Sequence, residues 1–448
     1  MAKSKKNINR TIKYTICAFV LYYIILILCY STVTVVKWGY YGFEFNNLLT
    51  IRNILFIVPA FIPIFVLYDY EVPSDLAALI LWLTLLCGCT IVLPHLENSV
   101  PLKTLCFVYL MSTCIIFMTI IPRWVYGKFS KPSQIKIVKI ENFPVSISIL
   151  FFFIGGLICL EMLGQIGYKI DLSLDTHYDR RLEARNFVEA GTMTAYAFSI
   201  LSDVLIPSFA LLSSAKRSQI MFAFTLLMSL CVFAYSGLKN VILLAVVTYI
   251  IYKVLKRNKK QYFIIIIISL TILTGVSIVE FKITEQDNIH NYLVRREIFV
   301  PSLLSGFYLE YFNEGNFQNF AISLKRFGYE FNDLAPGYLV GYFFFGSVEW
   351  NANTNLFASG YAEMGFLGAF VAFIGATAIM SLVNYFSLYT DEKVCCMVCV
   401  WSALKWINGS FQGSLLSDGV FFLLLGLFLL KFITYDYNLA KSRYYSHS

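Results

Sequence analysis

About twelve apolar runs, most of roughly 16 to 20 residues, recur along a chain of 448 residues, and that recurrence limits the fold more than any motif does. A run of about 20 residues, rising about 1.5 Å per residue as an α-helix, covers about 30 Å of hydrocarbon. The runs lie near 13–33, 53–68, 75–94, 104–122, 145–164, 191–212, 218–235, 240–255, 261–279, 358–388, 394–411 and 415–433. Composition agrees with the length argument. The chain is 58% hydrophobic and only 14% charged, with a mean hydropathy of +0.69, far from a soluble domain. The expectation is an all-α integral membrane protein of about 12 transmembrane helices, forming a single polytopic membrane domain over 1–448. Two connections are long, about 165–190 and 280–357; the rest are short.

Basic residues orient the chain. Lys3, Lys5, Lys6 and Arg10 precede the first run, and Arg123, Lys128, Lys131, Lys136 and Lys139 follow the fourth. Lys216 and Arg217, then Lys253, Lys256, Arg257, Lys259 and Lys260, and finally Lys431, Lys441 and Arg443 fall on the same side if both termini are cytoplasmic. The short connections of the opposite side hold chiefly Lys37, Arg52, Lys103 and Lys239. The first run is too long, and lacks a small-x-small site after it, to read as a cleaved leader. The net charge of +8 lies mostly on the inner face, where anionic membrane lipid accounts for it without nucleic acid. Eleven cysteines lie in or at the ends of apolar runs and none in the long loops, so they read as buried thiols rather than disulfides or a metal site.

The long loops carry the residues with chemistry. The first contains Arg180-Arg181 and Arg185 with Asp179 and Glu183 at helical spacing. The second contains Arg295-Arg296-Glu297, and then an apolar stretch, 298–311, broken by Pro301 and Gly306, which reads as a re-entrant or interfacial helix. Guanidinium grips phosphate oxygens through a planar fork and keeps its charge when partly buried. Arginines gathered in outer loops, against the usual charge bias, therefore point to a bound anion; the competing reading is a solvated helix with local ion pairs. Lys239, in Tyr235-Ser-Gly-Leu-Lys-Asn240, sits at a tight outer turn where it either meets the same anion or snorkels to the interface. Glu183, Glu297 and Glu363 are the leading carboxylates available as a base, with Asp179, Glu310 and Glu349 behind them, and His177 and His290 are further acid–base candidates. Asp203, Lys405 and Asp418 lie within runs and either pair in the interior or line an ion path. Arg180 precedes Gly191, and Arg295 precedes Gly306, by the same interval of ten intervening residues.

No His-Glu-x-x-His, P-loop, Gly-x-Ser-x-Gly elbow or loop Asp-x-Asp pair is present in the sequence, which argues against nucleotide hydrolysis and metal-dependent glycosyl transfer. What is present resembles the bacterial O-antigen and oligosaccharide repeat-unit polymerases of the Wzy type. The resemblance covers span count, inner termini and two large loops. Locally it rests on Arg180-Arg-Leu-Glu-Ala-Arg185, Ser236-Gly-Leu-Lys-Asn240, Arg295-Arg-Glu-Ile-Phe-Val-Pro301, Tyr308-Leu-Glu-Tyr-Phe312 and Asn355-Leu-Phe-Ala-Ser-Gly-Tyr-Ala-Glu-Met-Gly365. Some members of that family carry an Arg-x10-Gly pattern. The second motif usually holds arginine where this chain has Lys239.

The resemblance implies a GT-C-like, metal-independent glycosyltransferase of the bacterial inner membrane, without a cofactor and with its long loops periplasmic. Its substrates would be undecaprenyl-diphosphate-linked oligosaccharides, with a chain-length regulator admitted as a protein partner. Arg180, Arg181, Arg185, Lys239, Arg295 and Arg296 would bind the diphosphate, and Glu183, Glu297 or Glu363 would be the base. The alternatives are a lipid-linked oligosaccharide flippase, an O-antigen ligase that shares the donor, or a transporter built on the intramembrane charges.

Overall fold

The computed structural model of the protein describes residues 2–46, 50–96, 101–129, 137, 139–168, 170–171, 180, 183–184, 192–238, 240–255, 261–313, 316–321 and 334–431. Every regular element among the described residues is a helix. Eight are long and apolar enough to cross a membrane: α1 (Ile12–Tyr41), α3 (Ser74–His95), α4 (Leu102–Lys128), α5 (Val145–Gln165), α6 (Met193–Lys216), α7 (Gln219–Ser236), α9 (Tyr262–Thr284) and α12 (Leu356–Phe386). The remaining four apolar runs coincide with shorter helices, α2 (Ile51–Phe65), α8 (Asn240–Val254), α13 (Glu392–Asn408) and α15 (Val420–Lys431). Between α9 and α12 lie α10, a π-helix His290–Phe299 continued by Val300–Tyr311, and α11 (Pro336–Phe345). A single turn of helix, α14 (Phe411–Leu416), follows α13.

The chain divides into two compact units. One holds Met1–Phe129, Lys259–Asn384 and Cys399–Gly413; the other holds Ser130–Asn258, Tyr385–Val398 and Ser414–Ser448.

In the first unit α3 is the central helix, since 94% of its most apolar stretch is buried. A helix apolar on all sides needs neighbours on all sides. Phe19 stacks within 4.6 Å of Trp82, whose indole N–H donates to the Ala60 carbonyl at 2.7 Å, and Tyr22 donates to the Leu83 carbonyl at 2.8 Å. The N-terminal end of α3 is closed by charge. The Arg123 guanidinium grips Asp75 through Nε and Nη2 at 2.9 and 3.0 Å and reaches Glu71 through Nη1 at 2.9 Å. Asp75 is fully buried and also accepts the backbone N–H groups of Glu71 and Val72. Losing one partner of such a pair costs about 3–5 kcal/mol.

The second unit packs α5, α6, α7 and α8 around Met162, Leu201, Phe209, Met228, Val232 and Ala245. Phe152 stacks on Phe209 at 4.0 Å, over Gly155, where an added Cβ would meet Phe209 and Met228 at 3.3 Å. The opposite face of α5 exposes Ile149, Phe153, Leu157 and Leu160. A face of this size and composition belongs in hydrocarbon. Asp203 lies against Gly419 in this unit, while Lys405 belongs to the other.

One span departs from the sequence expectation of a continuous helix over 358–388. α12 is two helices joined at Met364 (φ −148°, ψ 33°) and Gly365 (φ 63°, ψ −144°). Gly360 and Gly368 bring the two halves together so closely that a Cβ at Gly368 would stand 2.1 Å from the Gly360 carbonyl oxygen.

Candidate functional site

The stretch Arg295-Arg296-Glu297 lies on α10, and the sequence shapes this helix in an unusual way. Pro301 has no N–H, and its ring would crowd the Glu297 carbonyl of a regular α-helix. The chain meets it with the widened turns of a π-helix over His290–Phe299 and only then winds as α-helix. Past the proline, Ser302, Ser305 and Gly306 form a stripe of small residues that lets α10 lie against α3. A Cβ at Gly88 would stand 2.4 Å from Ser302 Oγ and 2.7 Å from the Ile298 carbonyl oxygen, and one at Gly306 would strike Leu96 at 2.3 Å. Gly306 thus sits in close helix packing, and Gly191 lies outside the described residues. Lys103 closes the C-terminal end of α10 by donating to the Leu309 and Phe312 carbonyls.

α10 holds its charges in three different settings. Arg295 is half-buried; its guanidinium carbon lies 3.8 Å from the Trp38 ring centre and 5.8 Å from that of Tyr41. Its Nε and Nη2 donate to Asn291 Oδ1, one turn back, at 3.0 and 2.6 Å. Trp38 is itself fixed, its indole N–H donating to Asp287 Oδ2 at 2.6 Å. Arg296 is exposed. Glu297 turns inward and accepts from Asn408 Nδ2 of α13 at 2.7 Å. Burial raises the Glu297 carboxyl above its ordinary value, while Asn408 and the nearby Arg296 and Lys405 charges pull it back down. Three successive residues therefore present a stacked guanidinium, an exposed guanidinium and a sheltered carboxylate.

Aromatic rings continue from Arg295. Tyr41 lies 6.0 Å from Phe345 and 6.3 Å from Trp350, and Phe344 stacks on Phe307 at 4.2 Å, so α11 and the end of α1 share one cluster.

His290 and Glu363 are both buried. His290 is fully buried, with Nδ1 at 3.4 Å from Cys29 Sγ and Nε2 at 3.1 Å from Thr34 Oγ1. Burial, with Arg295 adding to it, lowers its pKa to about 3, which leaves a neutral ring unsuited to carrying protons near pH 7. Glu363 is the last residue before the break in α12. Its carboxylate accepts Phe320 N–H at 2.6 Å, its carbonyl accepts Asn319 N–H at 2.9 Å, and the Ala362 carbonyl accepts Gln318 N–H at 2.9 Å. Asn319 and Phe320 have positive φ, a local conformation in which the Phe320 amide meets the Glu363 carboxylate while the Gln318 and Asn319 amides pair with the backbone of α12.

The remaining predicted residues lie in the first long loop, apart from Lys239, which follows α7 in the sequence. Arg180 is buried, with Nη1 donating to the Asp171 carbonyl, Nε 3.7 Å from Asp171 Oδ2, and the guanidinium 4.9 Å from the Phe233 ring centre. Glu183 is exposed. Arg181, Arg185 and Lys239 lie outside the described residues, as do Asp179 and His177. The sequence reading missed Asn408, Asn291, Trp38 and the Arg123–Asp75 pair. Asn291 alone had a local signal, standing four residues before Arg295. Among the described residues no group of three or more His, Cys, Asp and Glu side chains is placed to hold a metal ion. Comparison with known protein families, characterised proteins and solved structures finds no match to this chain.

Proposed function

We propose that this protein is a repeat-unit polymerase of the O-antigen type, with about twelve crossings, both termini cytoplasmic and the long loops periplasmic. It transfers a growing glycan from undecaprenyl diphosphate onto the sugar end of a single lipid-linked repeat unit. The observation that carries the reading is the run Arg295-Arg296-Glu297 on α10. It supplies an oriented guanidinium, an exposed guanidinium and an inward carboxylate in three consecutive residues.

The chemistry follows from those groups. An acceptor hydroxyl oxygen bonds to the anomeric carbon of the growing glycan as the bond from that carbon to the diphosphate oxygen breaks. The diphosphate leaves with the bonding electron pair, and charge accumulates on it. Arg295 and Arg296 stabilise that charge, a contribution of about 10²–10³ in rate per oriented donor at comparable anion sites. Glu297 takes the hydroxyl proton, an effect worth about 10²–10⁴. Arg180, Arg181, Arg185 and Lys239 supply further cationic contacts to lipid-linked substrate, with Glu183 at the loop surface.

A flippase is favoured by one observation, the broken α12 with the buried Glu363 at its break, because discontinuous helices recur in transporters. A gel of surface lipopolysaccharide from a strain deleted for this gene separates the readings. A core capped by one repeat unit with the ladder lost is the expected result. Loss of even that single unit turns the assignment to flippase or ligase, and an unchanged ladder removes all three.

A further inference from the structure

We infer that Asn408 is a positioning residue that holds the Glu297 carboxylate in place for proton transfer; the inference rests on the polymerase reading of that carboxylate. The geometry is specific. Asn408 is the last residue of α13 and reaches across to α10, where its side-chain amide donates to Glu297 Oε2 at 2.7 Å. Glu297 accepts through one oxygen, so the amide fixes the carboxylate's rotation and leaves Oε1 as the atom to take a proton. An amide donor also favours the charged form, which a base needs. Lys405 stands one turn earlier on α13, on the same helix face.

The charged surroundings of Glu297 can be named. Arg296 on α10 and Lys405 on α13 are the cations that act on it. Also on α10, Arg295 is turned to Trp38, and His290 is neutral and buried against Cys29 and Thr34. Of the helices packed against α10, α9 contributes Glu280, which is held by the Ile289 N–H. α1 and α3 contribute buried Cys29, Tyr30, Cys87 and Cys89, with no carboxylate beside Glu297. Asn408 is thus the one neutral donor holding this carboxylate by a hydrogen bond among the described residues.

The experiment uses the full-length protein in lipid nanodiscs and, as substrate, the lipid-linked repeat unit extracted from the gene-deleted strain. Polymer formation is followed by gel across pH. A base must be deprotonated, so the wild-type rate rises with pH along an acidic limb. Asn408→Ala is expected to move that limb up by about one pH unit, a loss of about tenfold on the limb that recovers at alkaline pH. Asn408→Asp is of nearly the same shape and places a second carboxyl against the first, so its limb moves further up. In a Glu297→Gln background, Asn408→Ala should add no further loss, because it acts only through Glu297.

The outcomes separate cleanly. A limb that stays in place in both Asn408 variants, with Glu297→Gln inactive, overturns the positioning role while leaving Glu297 as the base. Full activity of Glu297→Gln overturns Glu297 as the base. No polymer from the wild-type protein on these repeat units overturns the polymerase reading itself.

Discussion

Arg295 is oriented before any ligand arrives. Asn291 takes two of its nitrogens and Trp38 lies under its plane, so little side-chain entropy remains to be lost on binding. Arg295→Lys keeps the charge but cannot reproduce the two-nitrogen contact or the planar stack. We expect the lysine variant to shorten the ladder and Arg295→Ala to abolish long chains, a loss of about 10²–10³ in rate, with both proteins still recovered in the membrane fraction. An alanine variant with a normal ladder on the lipopolysaccharide gel would remove Arg295 from the site. At this scale the sequence shows the guanidinium and its neighbour Asn291. It does not show Trp38, nor Asn408 111 residues beyond Glu297, because only tertiary packing brings them close. The same holds for Arg123 and Asp75, which the hairpin of α3 and α4 brings together end to end.

At the scale of elements, apolar windows read well because each helix is decided by its own twenty or so residues. The helix α10 was partly legible, since Pro301 and Gly306 mark 298–311 as something other than a span, although a proline alone does not foretell π-helical turns before it. The break in α12 was not legible: Glu363 stands just before Met364 and Gly365, but one carboxylate does not mark a break in a helix, and glycine is common in membrane helices. The conformation there nevertheless admits little else. Gly365 sits at φ 63°, ψ −144°, a region closed to residues with a Cβ, and an added Cβ would meet the Phe317 ring at 3.1 Å. Gly365→Ala should therefore destabilise the protein by about 1–3 kcal/mol. Gly275, mid-helix in α9 with open space around its Cβ position, is the matched control, and its alanine variant should be neutral or slightly stabilising. Thermal melts of the two variants in detergent decide the point, and equal melting temperatures would mean the break is not a fixed feature.

For the whole molecule, the number of crossings turns on α8. Its 15 residues extend about 22 Å, short of about 30 Å of hydrocarbon, whereas α5, α6, α7 and α9 have 18 residues or more. The count matters chemically. With α8 crossing, four crossings separate the loop at 165–190 from that at 280–357, and both lie on one face. Without it there are three, Arg180 and Arg295 lie on opposite faces, and only one of them can meet the donor. Local thinning of the bilayer and the basic residues Lys253 and Lys256 at its end allow a short helix to cross at modest cost. The native thiols leave a quiet background for a test, because among the eleven cysteines only Cys17 and Cys106 are exposed, and both lie within apolar helices. Single cysteines at Tyr292, before Arg295, and at Phe129, after α4, both exposed, would be treated with a membrane-impermeant maleimide in spheroplasts. Five crossings separate these positions when α8 spans, so Tyr292→Cys should label in intact spheroplasts and Phe129→Cys only after lysis. Labelling of both before lysis, or of neither, would mean that α8 lies in the interface; Arg180 would leave the proposed site in the first case and Arg295 in the second.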